Sequence, residues 1–120
     1  MSGPEGIRVD ARAGRIDWDE DGAARQADVE GAVDARRDRE KDRLVVLVRA
    51  QDREGVAILS LDGETIAFVR PPEGYAITHF AHADGPILVG QGEASSDGWQ
   101  DWHFAVDDEC RALRRLGPAY

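Results

Sequence analysis

The chain has one cysteine, Cys110, and one lysine, Lys41. A lone thiol cannot close an internal disulfide or build a cysteine metal site. Positive charge is scarce: 24 acids face 15 bases, for a net charge of −9. A nucleic-acid-binding domain needs a basic footprint to neutralise phosphate, so that class is argued against. Attraction to anionic lipid headgroups is disfavoured for the same reason. No apolar run approaches the length of a membrane span. The first residues, Met1-Ser2-Gly3-Pro4-Glu5-Gly6, lack a basic region followed by an apolar stretch, so no signal peptide is expected. The expectation is a soluble, cytoplasmic, acidic protein. The 120 residues fit one domain over 1–120. A folded chain of this size buries roughly two thirds of its surface, enough for a core without staples.

What is present reads as successive strands. Leu44-Val45-Val46-Leu47-Val48 is a short apolar, β-branched run between charged residues, suited to a buried strand. Gln51 to Gly55 is a turn, and Val56 to Leu61 follows as a strand. Asp62-Gly63 is the strongest short hairpin signal, expected as a type I′ turn with positive φ at both central positions. Glu64 to Val69 returns and stops at Pro71-Pro72, which cannot donate to a ladder. The pattern then repeats, with strands over 75–81, 87–90, 101–106 and 111–116. Residues 101–106 alternate polar and apolar with period two. Leu44-Val45-Val46 corresponds to Ile87-Leu88-Val89, and Val56-Ala57-Ile58 to Trp102-His103-Phe104.

The expected fold class is therefore all-β. It is an antiparallel meander of two four-stranded propeller-blade-like units plus an N-terminal hairpin. The hairpin is Ile7-Arg8-Val9 and Arg15 to Trp18 around the Gly14 turn. The first strand of the earlier unit is placed near Val29 to Val33. Ala23 to Ala35 is rich in Ala but interrupted by Gly31, and the mixed-charge run Arg36 to Arg43 reads as a short helix or a solvated loop. Two blades and a half cannot close a propeller, so the alternatives are an open sheet assembly and completion by self-association.

Few motifs carry chemistry. Asp17-Trp18-Asp19-Glu20-Asp21-Gly22 matches the start of a calcium loop, with Asp28 at the twelfth position. Arg25 at the ninth position, the short Asp28 and the strand before it depart from that pattern, and an acidic surface turn is the alternative. His79 and His82, three apart on an expected strand, point to opposite faces and do not chelate. His103 is expected to face solvent or a neighbouring layer. Cys110 follows Asp107-Asp108-Glu109, which would raise its pKa rather than activate it. Ser60, Ser95 and Ser96 lack a nucleophile elbow. Gly90-Gln91-Gly92 is not followed by the rest of a dinucleotide fingerprint. No catalytic residue, metal or cofactor is expected, and the chain reads as a non-enzyme.

Charge is the sharper signal. Residues 71–110 contain eight acids, Glu73, Asp84, Glu93, Asp97, Asp101, Asp107, Asp108 and Glu109, and no Lys or Arg. All fall in or beside expected turns, where a one-sign cluster speeds association with a basic partner. Trp99 adds an aromatic of the kind that anchors interfaces. Soluble acids around an inward Trp99 are the alternative.

Two segments, Val56 to Phe68 and Gly98 to Asp107, resemble those of small, propeller-like β-meander proteins of bacteria. Some of these resemble immunity proteins that neutralise secreted toxins. The resemblance implies an acidic protein that binds a basic toxin domain. Glu93, Asp97, Trp99 and Asp101 would form the contact, with Asp84 nearby. The alternative function is a self-associating ligand-binding or structural module, with Trp99 and Trp102 lining a glycan or small-molecule site.

Overall fold

A computed structural model describes residues 6–92, 100–107, 109 and 111–119. Among them there is no α-helix, and the strands form three antiparallel sheets. The N-terminal sheet is β1 (Arg8–Asp10), β2 (Arg15–Glu20) and β3 (Ala23–Asp28), in that order. The central sheet is β4 (Ala32–Asp38), β5 (Arg43–Ala50), β6 (Arg53–Ser60) and β7 (Thr65–Val69). The C-terminal sheet is β8 (Ala76–Phe80), β9 (Leu88–Gln91), β10 (Asp101–Val106) and β11 (Leu113–Pro118). Each sheet is a plain meander, with every strand paired to its sequence neighbours.

The central sheet lies between the other two and is apolar on both faces. Leu44, Val46, Val48, Ala57 and Leu59 pack with Ile16 and Trp18 of the N-terminal sheet. Val45, Leu47, Val56 and Ile58 point the other way, onto Ile77, Phe80, Leu88, Trp102, Phe104 and Leu113. This two-sided burial explains why 44–48 is a continuous apolar run rather than an alternating one. The stack of sheets measures 48 × 30 × 29 Å.

Arginines of the central sheet tie it to its neighbours. Arg37 pairs with Glu20 of β2 at 3.0 Å. Arg36 donates from Nε to the His82 carbonyl at 3.2 Å and lies 4.7 Å over the Phe80 ring. The Arg49 guanidinium donates to the carbonyls of Ile77 and Thr78 on β8. Within the sheet, Arg43 and Asp38 form a buried pair at 3.0 Å across the β4–β5 hairpin. Trp18 adds a neutral link, its indole N–H reaching the Leu61 carbonyl at 3.2 Å.

Several expectations need correction. The N-terminal unit is a three-stranded meander, not a hairpin. Its extra strand, β3, is exposed at most positions and is held by its ladder with β2, so it shows no apolar alternation. The run Arg36 to Arg43 is not a helix: it is the end of β4, an exposed turn over 39–42 and the start of β5, and Ala23 to Asp28 before it is the unexpected β3. Arg36, Arg37, Asp38 and Arg43 are taken up by the pairs above, whereas Arg39, Glu40, Lys41 and Asp42 stay exposed in the β4–β5 turn. The first strand of the central unit is Ala32–Asp38, not Val29 to Val33, because Gly31 at φ +82 turns the chain before it. The Asp62-Gly63 turn is not type I′, since only Gly63 has positive φ (+99). Hydrogen bonds from Gly63 N to Ser60 O and from Ser60 N to Glu64 O close a three-residue loop there. The two-residue turn with both φ values positive is Asp21-Gly22, at +51 and +80, between Glu20 and Ala23.

Candidate protein-binding site

The base-free stretch 71–110 coincides with one layer. It runs through the connection into β8, then β8, β9, β10 and the start of the β10–β11 loop, all belonging to the C-terminal sheet. Of the five residues expected to contact a partner, Asp84 and Asp101 are described. Glu93, Asp97 and Trp99 lie outside the described residues, as do Asp108 and Cys110.

The sheet separates the two described acids. Asp101 pairs with Gln91, which also pairs with Ala76, at one end. Leu88 pairs with both Phe80 and Phe104 at the other end, beyond which lies the exposed Asp84 loop, closed by Ala81 N to Ile87 O at 2.8 Å. Strand rise sets these ends roughly 10–13 Å apart before the loop is added. Asp84 is therefore not near Asp101. Consecutive turns of a meander alternate ends, so the turn before β9 and the turn after it cannot meet.

Both ends carry bases as well as acids. Asp84 shares a surface recess with Arg37, Arg39 and Glu40. In the β10–β11 loop, Glu109 pairs with Arg111 at 3.3 Å, and the Asp107 carboxylate accepts the Arg111 backbone N–H at 2.7 Å. That end is mixed in sign and partly self-paired.

The Asp101 end is built on an aromatic platform. Tyr75 meets Phe104 edge-on, with ring centroids 5.3 Å apart. The Arg115 guanidinium lies 4.2 Å over the Trp102 ring and donates to the Tyr75 hydroxyl at 2.7 Å. Arg115 is thus engaged within the sheet rather than presented as a free cation. Gly92 sits against this platform and bonds through its N–H to the Gln100 carbonyl at 3.0 Å. That bond closes the base from which residues 93–99 depart. The Asp101 carbonyl accepts from Ala119 N–H at 2.9 Å, pinning the first residue of β10 to the chain after β11. Glu73 lies at the same end, in an open cleft of about 410 Å³ with Asp52, Arg53, Glu54, Arg70 and Tyr75. Sequence spacing could not reveal the Tyr75–Trp102–Arg115 contact, because it joins three strands or connections far apart in the chain.

The remaining candidates have structural explanations. Asp17 and Asp19 lie on the face of β2 opposite the buried Ile16 and Trp18, in an ordinary hairpin. Asp28 is at the far end of that hairpin from Asp21, 3.7 Å from Arg15. A calcium loop would have to fold these carboxylates inward, and the ladder holds them apart. Among the described residues, no three His, Cys, Asp or Glu side chains are placed to hold a metal. The Ser60 hydroxyl accepts the Glu64 N–H at 3.2 Å and serves the turn. Trp102 is buried beneath Arg115, so its ring face is not open to a glycan.

Gly92 generates a prediction. A Cβ there would stand 2.4 Å from the Tyr75 ring and 2.7 Å from the Gly74 carbonyl. Gly92→Ala should cost about 1–3 kcal/mol through overpacking. Chemical denaturation checks this, and an unchanged midpoint would mean that the base of the 93–99 segment does not bear on Tyr75.

Scans against protein-family models, curated proteins and solved structures found no match to the chain.

Proposed function

We propose that this chain is a non-enzymatic binding protein of the immunity type, which acts in the cytoplasm and neutralises a basic toxin domain by protein–protein contact. The observation that carries this reading is the coincidence of the base-free acidic stretch with one outer layer of a three-sheet stack. Of the bases nearest to it, Arg111 pairs with Glu109 and Arg115 is held by Trp102 and Tyr75, while the exposed Arg114 of β11 and Arg70 beside Glu73 offset part of the field presented to a partner. The contact is made by Glu93, Asp97, Trp99 and Asp101, of which the described Asp101 stands at the Tyr75 end. Asp84, at the opposite end, belongs to a separate and weaker surface. Acids set the encounter rate, and Trp99 supplies the buried anchor.

A second reading has one observation in its favour. The strands β1 and β4 are in contact, as are β4 and β8, so the first strands of the three sheets lie side by side. Blades of a propeller meet in that way, and further copies of the chain would complete the ring. The outer face of the N-terminal sheet weighs against it. Arg15, Asp17 and Asp19 lie opposite the buried Ile16 and Trp18, and Arg8 and Asp10 pair beside them. That face is charged where a neighbouring blade needs an apolar one.

Two experiments test these readings. With the basic protein captured from the native cell, the double variant Asp97→Lys/Asp101→Lys should lower the association rate tenfold or more at low salt. The difference should fade at high salt, because screening shortens the reach of the field. An unchanged rate would remove the acidic segment from the account. Sedimentation over a range of concentrations should show a monomer at micromolar concentration, whereas a closed oligomer would favour the propeller reading.

A further inference from the structure

One cleft of the molecule is lined by charges that the fold leaves unpaired. It is the open cleft of about 410 Å³ between the β5–β6 turn and the β7–β8 connection. Arg53, the first residue of β6, lies over the Phe68 ring, 4.2 Å from guanidinium carbon to centroid. A Cβ at Gly55 would meet that ring at 3.1 Å and the Arg70 Cα at 3.3 Å. The missing side chain therefore lets the Phe68 ring and Arg70 sit together over β6, with Arg53 stacked on the same ring. The Arg53 Nε is buried and has no hydrogen-bond partner. A donor left in this state costs the fold its desolvation penalty unless something accepts from it. Arg70 is exposed and, among the described residues, forms no ion pair. Two acids line the same cleft on the same terms. Asp52 and Glu73 are exposed and have no ion pair among the described residues, whereas Glu54 lies 4.0 Å from Arg49. The cleft thus holds two guanidiniums and two carboxylates that do not neutralise one another.

We infer that this cleft is a binding site for a small zwitterion of the α-amino acid class. The α-carboxylate lies against Arg53 and Arg70, because a guanidinium matches a carboxylate with paired N–H donors. The α-ammonium faces Asp52 and Glu73. The acids oppose a ligand of net negative charge, and the guanidiniums oppose a cation. A neutral molecule that carries both charges is the class that satisfies the whole lining. Pro71 and Pro72 bound the cleft beside Tyr75, and the Tyr75 N–H donates to the Pro72 carbonyl at 3.0 Å, which closes the turn. Proline fixes its own φ, so this wall is stiff as well as apolar and suits an aliphatic side chain such as that of leucine. The cleft has the size of a small-molecule site. The protein partner supplies none of these groups, so the free chain is sufficient for binding.

NMR titration of the ¹⁵N-labelled full chain with L-leucine, at fixed pH and ionic strength, tests the inference through the arginine Nε–Hε signals. Saturable shifts in the millimolar range are expected, with the Arg53 signal among those that move. Leucinamide, which lacks the carboxylate, and N-acetyl-leucine, which lacks the ammonium, should each bind roughly tenfold more weakly or worse. Arg70→Ala and Glu73→Gln should each weaken leucine binding roughly threefold or more, while Arg114→Ala, outside the cleft, should not. Arg70 and Glu73 are exposed, so their variants keep the fold. Shifts that rise without saturating, an analogue that matches leucine, or unchanged affinity in Arg70→Ala would overturn the assignment.

Discussion

The structure depends on one sheet buried from both sides. β5 and β6 place alternate residues into two separate cores, so five of their apolar side chains hold the N-terminal sheet and the four between them hold the C-terminal sheet. Burying a Val, Leu or Ile fully is worth about 1.5–3 kcal/mol. Among the described residues, each outer sheet packs its apolar face against the central one, which leaves its outward face to polar and charged groups. The acidic character of the C-terminal layer is a consequence of that freedom.

Arginine does the work between the sheets that packing does within them. Arg36, Arg37 and Arg49 project from the central sheet to carbonyls or a carboxylate of its neighbours. Removing a charge from water is costly, and such pairs are retained where they fix a geometry rather than where they maximise stability. Here the geometry they fix is the seating of β2 on one side and β8 on the other. The Arg36 contact holds the His82 carbonyl, so a residue read in the sequence as part of a solvated run secures the backbone that leaves β8.

Much of the fold was legible in the sequence. The continuous run 44–48, the alternation at 101–106 and the correspondence between them yield two four-stranded meanders, and the structure has both. Three features were hidden for physical reasons. β3 is an exposed ladder strand with nothing apolar to alternate. β4 carries arginines whose partners lie on other sheets, so its sequence looks solvated. Asp21-Gly22 is a hairpin turn whose flanking carboxylates resemble a calcium loop. Of the candidate site, the charge asymmetry was legible because it is a property of composition along the chain. The separation of Asp84 from Asp101, the Arg115 stack on Trp102 and the meeting of Phe68 and Arg70 over Gly55 were not, because each depends on which strands become neighbours.

The two-sided burial of the central sheet is measured most directly by amide hydrogen exchange, residue by residue, on the free chain. The account predicts the slowest exchange in residues 44–48 and 56–59, at rates set by global unfolding, with β3 and β11 opening sooner. If β5 and β6 exchanged as fast as the outer strands, or if protection were confined to a single outer sheet, the central sheet would not be the support of the fold.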